Sequence, residues 1–216
     1  MITFHVISLF PKVIEPYMET SILGRAILNK KIAVRFYDLR DYLNNPRERV
    51  DGKPFGGGPG MVIRPEPVIK AILDAKGRKK NTKIIFFDRK GTRLTNKYAN
   101  VISQNYRHVI LVSGRYEGID ARAYEVFRSE DVERLSIGPY ILTGGEIPSM
   151  AFIDCVSRQV GGVLGDSNSL EEGRVAGRSV YTRPQSFSCK NKDFKVPSVL
   201  ISGHHAKIDK WKKRKG

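Results

Sequence analysis

The sequence is poor in cysteine, which limits the covalent and metal chemistry it can support. Cys155 and Cys189 are its two cysteines, and they do not form a C-x-x-C motif. A disulfide framework and a thiolate zinc cluster are therefore both excluded. The adjacent His204 and His205 have no matching Cys, Asp or His spacing that would complete a metal site. We predict no bound metal and a reducing, cytoplasmic compartment.

Long hydrophobic runs are also missing. No segment approaches the roughly 18 uninterrupted apolar residues that a membrane-spanning helix needs, and the first residues lack the positive charges of a secretory signal. We therefore expect neither membrane insertion nor secretion. The two common nucleotide fingerprints, G-x-G-x-x-G after an early strand and G-x-x-x-x-G-K-[ST], do not occur either. Their absence argues against an ordinary Rossmann or P-loop enzyme.

The chain instead has an ordinary globular composition in which strand and helix patterns alternate. Its 216 residues are 40% hydrophobic and 28% charged, enough to bury a core without disulfides or metals. The alternation predicts an α/β fold with a mainly parallel sheet, whose ligands bind beyond the carboxyl ends of strands, here after Phe87, Val112 and Leu135. Strands are predicted at 2–9, 32–38, 83–87, 108–112 and 132–135, and helices at 11–30, 65–76, 95–105, 119–128 and 146–160.

Positive charge is in excess and unevenly placed. The 38 Lys+Arg against 22 Asp+Glu give a net charge of +16, which calls for an anionic partner. From Arg174 to the end there are 12 basic and 2 acidic residues. Tyr181, Phe187, Phe194 and Trp211 lie among them, so phosphate contacts alternate with stacking surfaces. This pattern predicts RNA as the partner, and a solvated basic tail is the alternative.

A glycine-rich, polar stretch divides the chain. Residues 161–177 contain five glycines and have the composition of a flexible linker. Beyond it, helical patterns at 196–201 and 206–213 predict a small basic module that buries little surface of its own. We therefore predict a larger domain at 1–160, a linker at 161–177 and a small, helical, basic C-terminal domain at 178–216.

Three glycine-bearing loops are candidate ligand contacts. Residues 113–118 read SGRYEG directly after a predicted strand, and residues 136–146 read SIGPYILTGGE before a predicted helix. Residues 55–61, FGGGPGM, hold too much glycine for regular structure. Glycines let the backbone approach a ligand, and an apolar loop can clasp a flat neutral ring through its backbone groups. Tight turns and a mobile cover explain the same glycines as an alternative.

These loops, with YTRP at 181–184 and SGHH at 202–205, closely resemble bacterial tRNA (guanine-N1)-methyltransferases. The resemblance covers nearly the whole chain in matching order. It implies a knotted (trefoil) SPOUT-type catalytic domain that uses S-adenosylmethionine, and a C-terminal domain that binds tRNA. It also implies methylation of N1 of the guanine 3′-adjacent to the anticodon, by a homodimer with each active site between two subunits. General topology rules treat true knots as exceptional, so the knot rests on the resemblance alone.

The resemblance also assigns the cofactor-binding residues. Among them, Glu117 is suited to attract the positive sulfonium or the amino group, although an ion pair with Arg115 or Arg122 would explain it equally well. The 55–61 loop is expected near a flipped target base. The complete set is Phe87, Gly114, Glu117, Gly118, Ser136, Ile137, Gly138, Tyr140, Leu142, Gly144, Gly145 and Pro148.

Guanine N1 carries a proton, so its methylation needs a base and a cation that stabilises negative charge on O6. The resemblance assigns the cation to Arg158, and spacing alone equally allows an i,i+4 ion pair with Asp154. Relatives have Asp-Ser-Phe in the linker where this chain reads EEGRV at 171–175, so the usual aspartate is unmatched. We assign the base to Glu172, with Glu171 or Asp166 as substitutes, or with all three as solvated linker charges.

A second departure replaces a family Ser-Pro-Gln-Gly by DRKG at 88–91, which changes the polar contacts expected beside the adenosine. Two alternatives to the main prediction therefore remain. One is a non-catalytic RNA-binding or assembly protein that has lost its base. The other is a related RNA methyltransferase with a different target base.

Overall fold

The computed structural model describes residues 1–165 and 179–214, and the chain divides into two compact units, Met1–Gly165 and Asp166–Gly216. The three acidic residues considered as the base, Asp166, Glu171 and Glu172, lie outside the described residues. So does most of the predicted linker.

The first unit is an α/β structure whose central sheet has five parallel strands in the order β2-β1-β6-β5-β7. This confirms the predicted α/β class with a mainly parallel sheet. Short 3-10 helices lie at Pro11–Val13 and Leu39–Tyr42. The other elements are β1 (Ile2–Ser8), α1 (Glu15–Met18), α2 (Ser21–Leu28), β2 (Ile32–Asp38), β3 (Asp51–Gly52), β4 (Val62–Ile63), α3 (Pro65–Lys76), β5 (Thr82–Arg93), α4 (Asn96–Asn105), β6 (His108–Val112), α5 (Arg122–Glu125), β7 (Val132–Ser136) and α6 (Glu146–Arg158).

Both faces of the sheet are buried, and successive residues of β1 point into different core clusters. Phe4 packs on one face with Phe152 of α6, and Ile7 packs on the other with Ile72 of α3. A parallel sheet covered on both faces needs apolar side chains at nearly every position. This explains why β6 reads as a nearly continuous apolar run, and why even the polar residues Thr3, His5 and Ser8 of β1 are buried.

The helix predicted at 11–30 was wrong. The segment breaks into the 3-10 turn, α1 and α2, because Pro16 opens α1 and Thr20 is extended with φ −99° and ψ 146° before α2 begins. The helix predicted at 119–128 is also wrong in length, since only the single turn of α5 is helical. Turns rather than continuous helix fill the rest of that segment.

Strand β5 is longer than predicted, and this changes the first ligand loop. It continues to Arg93 past a register shift between Phe87 and Thr92. A Cβ on Gly91 would lie 2.5 Å from the carbonyl of Arg134, so glycine allows the strand to pass this close to β7. The segment after Phe87 is therefore a bulge in a strand rather than a free loop.

The second unit, described from residue 179 to 214, combines a β-hairpin with two helices. The hairpin pairs β8 (Ser186–Cys189) with β9 (Lys192–Lys195), and α7 (Ser198–Ile201) and α8 (His205–Arg214) follow. The helices lie where the sequence predicted them, but the hairpin was not predicted. Its two turn residues, Lys190 and Asn191, have φ of 49° and 57°, as a tight two-residue hairpin turn requires. Among the described residues no helix is both long enough and apolar enough to cross a bilayer.

Candidate active site

The carboxyl ends of β5, β6 and β7 border a cleft of about 200 Å³. Its wall is built from the β5 bulge, the 113–118 and 136–145 loops and the first turn of α6. All residues that the resemblance assigned to the cofactor line this one cleft, namely Phe87, Gly114, Glu117, Gly118, Ser136, Ile137, Gly138, Tyr140, Leu142, Gly144, Gly145 and Pro148. The fold thus brings the set together, and its contact with a cofactor stays a prediction.

A direct backbone contact joins two of these loops. Gly145 N donates a hydrogen bond to Gly114 O at 2.8 Å, and Arg115 and Gly144 form an isolated antiparallel bridge. A Cβ on Gly145 would lie 2.5 Å from Ser113 Cα, a distance at which backbone atoms cannot yield. We call this contact between residues 113–115 and 144–145 the clasp. Glycine is therefore needed here for close packing of two chain segments.

Buried polar groups form hydrogen bonds and an ion pair with residues of the clasp and next to it. Glu146, 3% exposed, accepts a hydrogen bond from Ser8 Oγ at 2.7 Å and lies 3.0 Å from Arg115 Nε as an ion pair. The hydroxyls of Ser113 and Ser149 lie 2.8 Å apart. Sequence reasoning missed these supporting residues, because Ser8 and Glu146 are 138 positions apart and no local spacing connects them.

These pairings bear on whether Glu117 forms an ion pair with Arg115 or Arg122, the alternative to a role in ligand binding. Arg115 pairs with Glu146, and Arg122 donates to both carboxylate oxygens of Asp120 at 2.9 and 2.7 Å. The predicted ion pair of Glu117 with Arg115 or Arg122 is therefore not what these arginines form. Among the described ion pairs none includes Glu117, so its carboxylate lines the cleft without a cationic partner.

The 136–145 loop is held by its own side chains. Ser136 Oγ donates to Gly138 O at 3.0 Å and accepts from Gly138 N at 3.2 Å. Tyr140 Oη donates to Ile137 O at 3.2 Å, and a Cβ on Gly138 would meet the Tyr140 ring at 2.2 Å. The loop is folded back on itself through these contacts.

The 55–61 loop approaches the same cleft from another side. Met61 O accepts a hydrogen bond from Glu117 N at 3.0 Å, and a Cβ on Gly60 would lie 2.5 Å from Glu117 Oε1. Gly60 has φ of 82°, which disfavours any side chain there. Phe55 is 98% exposed. The loop is anchored beside Glu117, while its proximity to a target base stays a prediction.

Arg158 is not brought to the cleft within one chain. It ends α6, whereas Pro148 lines the cleft near the start of the same helix. Ten residues of α-helix separate them by about 15 Å along the axis. Asp154 accepts a hydrogen bond from Tyr17 Oη at 2.6 Å, which is the main reason why the pKa of Tyr17 is raised to about 12. The ion pairs of the described residues do not include the Asp154–Arg158 pair that spacing allowed.

Fold and cleft together define an α/β protein with a cleft at the carboxyl ends of its parallel strands, the place where proteins of this class bind their ligands. Comparison with known proteins narrows this class. The profile of the family tRNA (Guanine-1)-methyltransferase TrmD matches residues 2–216, and the chain belongs to this family. The resemblance seen in the sequence is thereby confirmed.

Individual relatives agree with the family profile. The chain is 41% identical over 214 residues to a tRNA (guanine-N(1)-)-methyltransferase of Pseudoalteromonas atlantica, covering 97% of this chain and 78% of that protein. It is 42% identical over 214 residues to the one of Ruminiclostridium cellulolyticum, covering 97% and 88%. The match to the Clostridioides difficile protein is 39% over 217 residues, covering 97% and 90%.

Proposed function

We propose that this protein transfers a methyl group from S-adenosylmethionine to N1 of the guanine 3′-adjacent to the anticodon in tRNA. Family membership supports the reaction, methylation of tRNA guanine N1. The observation that carries the proposal is the clasped cleft at the strand ends, whose wall contains the whole set of residues assigned to the cofactor.

The residues of the cleft fit such a donor. Glycines and apolar side chains of the 136–145 loop suit a flat, neutral adenine, which backbone groups can bind by hydrogen bonds. Glu117 lines the cleft with no cationic partner among the described ion pairs, so it is available for a positive group. When bound, the donor supplies a methyl group on a positively charged sulfur, which makes that methyl electrophilic.

The chain's own residues supply the rest of the chemistry. The proton on guanine N1 passes to a base, for which we propose Glu172 in the segment outside the described residues. Negative charge then develops on O6, and the guanidinium of Arg158 stabilises it. Among the described residues no group of three or more His, Cys, Asp or Glu side chains is placed to hold a metal ion.

Arg158 does not line the cleft of its own chain, and about 15 Å of helix axis separates it from Pro148. We therefore assign its role to the site of a second subunit. Several apolar side chains of the first unit are exposed, including Phe10, Tyr17 and Ile147. Tyr17 contacts α6 through Asp154, and Phe10 lies under Arg115. We therefore propose a homodimer whose active sites lie at the subunit interface, with this apolar surface covered.

The trefoil knot belongs to the same proposal. Its support is the family match together with the clasp, which holds the chain entering α6 directly against the loop after β6. In this assignment residues 1–160 form the knotted catalytic domain, 161–177 the linker and 178–216 the tRNA-binding domain. We propose a cytoplasmic location, where tRNA is modified.

Exposed features of the second unit support binding to RNA. The rings of Phe187 and Phe194 stack across the hairpin with centroids 5.4 Å apart and 17° between their planes. Lys190, Lys192 and Lys195 lie on the same hairpin. Stacking surfaces beside cations are typical of proteins that hold unpaired nucleotides.

The decisive experiment is methyl transfer from labelled S-adenosylmethionine to tRNA, followed by digestion of the product to nucleosides. We expect label in 1-methylguanosine. Absence of label in tRNA would overturn the enzyme assignment in favour of a non-catalytic RNA-binding protein. Label in another nucleoside would show a different target base.

Glu172→Gln is expected to lower kcat strongly with little change in tRNA affinity, and Glu171→Gln and Asp166→Asn serve as matched variants.

A further inference from the structure

Two histidines lie together at the amino-terminal end of the central sheet. His5 is on β1 and His108 is the first residue of β6, and His5 Nε2 lies 3.3 Å from His108 Nδ1. His5 is fully buried and His108 is half-buried. The extended chain from His108 to Gly114 of the cleft wall spans about 20 Å. The pair is therefore separate from the cleft.

A third ring sets the direction of the hydrogen bonds in this pair. Tyr37 Oη lies 2.9 Å from His5 Nδ1. Burial raises the pKa of Tyr37, so the hydroxyl keeps its proton, and the positive charge of Arg35 opposes that rise. Because a guanidinium has donors only, the hydroxyl oxygen faces Arg35 and the O–H donates to His5 Nδ1. His5 then donates from Nε2 to His108 Nδ1, which leaves the proton of neutral His108 on its Nε2.

Basic side chains come from the segments beside these rings. Arg35 is paired with His5 in the parallel register of β1 and β2, and residues paired in this way project from the same face of the sheet. Lys79 lies in the turn before β5, where Thr82 Oγ1 donates to its carbonyl at 3.3 Å. Thr82 is in turn paired with His108. The fold therefore places both cations next to the histidine pair.

The electrostatics agree with this placement. Burial, followed by the positive charges of Lys79, Arg35 and Arg107, lowers the pKa of His108. Burial and the charges of His108, Lys79 and Arg35 lower the pKa of His5 to about 4. The ion pairs of the described residues include none of these three cations.

One carboxylate approaches the group from α3. Burial is the main cause of the raised pKa of Tyr37, and Asp74 adds to it. Asp74 accepts a hydrogen bond from Tyr42 Oη at 2.6 Å, and it is not among the charges that shift the pKa of either histidine. The side on which His108 lies is therefore cationic, with no counter-charge among the described ion pairs.

We propose that this end of the sheet binds a phosphate group, held by the charges of Lys79 and Arg35 and by the Nε2–H donor of His108. An oxyanion supplies the negative charge and the acceptors that these groups lack, and hydrogen bonds between charged partners are the strong ones. The same positive charges disfavour a metal cation. The phosphate belongs either to a small molecule or to an RNA backbone, since both present the same oxygens. The site is independent of the donor cleft, so its failure would leave the proposed function standing.

The first test needs no variant. Inorganic phosphate is added to the purified full chain near neutral pH, and the ring-proton NMR signals of the four histidines are followed, with sodium chloride of equal ionic strength as the reference. We expect the His108 signals to shift in a saturable way, and the His5 signals to follow through the shared hydrogen bond. If the His108 signals move no further in phosphate than in chloride, the inference is overturned.

Substitutions test which groups hold the anion. Lys79→Gln and Arg35→Gln should each weaken phosphate binding about tenfold, because each removes a charged contact. Neither residue has an ion pair among the described residues, so these changes leave no carboxylate unpaired. Lys97→Gln, which removes an exposed charge on α4, is the matched control and should leave the affinity within twofold of wild type. Equal phosphate affinities of wild type, Lys79→Gln and Arg35→Gln would also overturn the inference.

Binding of tRNA to the same variants distinguishes the two sources of the phosphate. If the group belongs to an RNA backbone, Lys79→Gln and Arg35→Gln should lower tRNA affinity several-fold more than Lys97→Gln does. If it belongs to a small molecule, the three variants should bind tRNA equally, while Lys79→Gln and Arg35→Gln still lose phosphate binding. Calorimetry with S-adenosylhomocysteine should give the same affinity for all three, because the cleft lies at the other end of the strands.

Discussion

The two units of the chain differ in how their candidate sites are built. In the first unit both faces of the sheet are buried, and the cleft is shaped by backbone segments in direct contact at the clasp. In the second, no described residue between 179 and 214 is buried, and its candidate RNA contacts are exposed rings and lysines. Single substitutions should therefore have large effects in the first unit and small effects in the second.

The largest effect is expected from Arg158→Ala. Removing a group that stabilises charge in the transition state typically lowers turnover about 10²–10³-fold. We expect a loss of this size in kcat, with the affinities for tRNA and the donor nearly unchanged. Steady-state kinetics and calorimetry measure both quantities. Gln159→Ala, one residue further on the same helix end, is the matched control and should retain activity.

Subunit mixing shows in which chain Arg158 acts. Leu142→Arg places a charged side chain in the cleft wall and should abolish donor binding. In a mixture of equal amounts with Arg158→Ala, half of the dimers carry one intact composite site, so about a quarter of wild-type activity should return. No recovery would place Arg158 in the site of its own chain and contradict the proposed interface.

The clasp gives the next largest effect. Gly145→Val would place side-chain atoms against Ser113 Cα and Gly114 N, which lie 2.5 and 2.8 Å from the Cβ position. We expect donor affinity to fall about 100-fold and the free energy of unfolding to fall by about 1–3 kcal/mol. Gly161→Ala, where no atom lies within 4 Å of the added Cβ, should change neither. Wild-type donor binding by Gly145→Val would show that the clasp does not shape the cleft.

Acid stability tests the buried core of the first unit. His5 is fully buried, its Nδ1 lies 2.9 Å from Tyr37 Oη, and its Nε2 lies 3.3 Å from His108 Nδ1. Burial, with the nearby positive charges of His108, Lys79 and Arg35, lowers the pKa of His5 to about 4. The unfolded chain, with a His pKa near 6.5, therefore binds more protons between about pH 6.5 and 4.

Folding stability should consequently be fully present above pH 6.5 and fall as the pH drops towards 4. The shift corresponds to about 3 kcal/mol at the acid end. Urea unfolding of wild type and of His5→Gln across this range measures it, because the variant keeps hydrogen-bonding groups but does not titrate. Equal slopes for the two proteins would show that His5 is not the group responsible.

Sequence patterns predicted the first unit where periodicity was uninterrupted. The observed bounds of β2, β6 and α3 are those predicted, since each lies between clear turn signals. Prediction failed where one residue overrode the pattern, as the extended Thr20 does before α2. It also failed at Gly91, whose role in letting β5 continue depends on the neighbouring strand. The hairpin of the second unit had one usable signal, the symmetry of Phe187 and Phe194 about a two-residue turn.

In the candidate site, too, some residues were predictable from the sequence and others depend on tertiary contacts. Residues of the cleft wall were predicted through the resemblance, and the topology places them together because β5, β6 and β7 end at one edge. Their supporting partners were not predictable. The contacts of Glu146 with Ser8 and Arg115 join segments that only the folded sheet brings together. The resemblance therefore predicted which residues line the cleft, whereas tertiary packing decides which of its charges remain without a partner.

The smallest effect is expected in the second unit, where the contributions of charge and of ring stacking to tRNA affinity should be separable. Lys192→Gln removes one exposed cation of the hairpin, so tRNA affinity should fall several-fold. The slope of log affinity against log salt should become shallower by about one.

Phe187→Ser breaks the stacked pair and should weaken tRNA binding without altering this slope, because stacking releases no counterions. Neither change should affect donor binding, since both residues lie in the second unit. Lys97→Gln, on α4 of the first unit, controls for the loss of one positive charge. An equal effect of Lys97→Gln and Lys192→Gln on tRNA binding would show that RNA responds to total charge rather than to the hairpin.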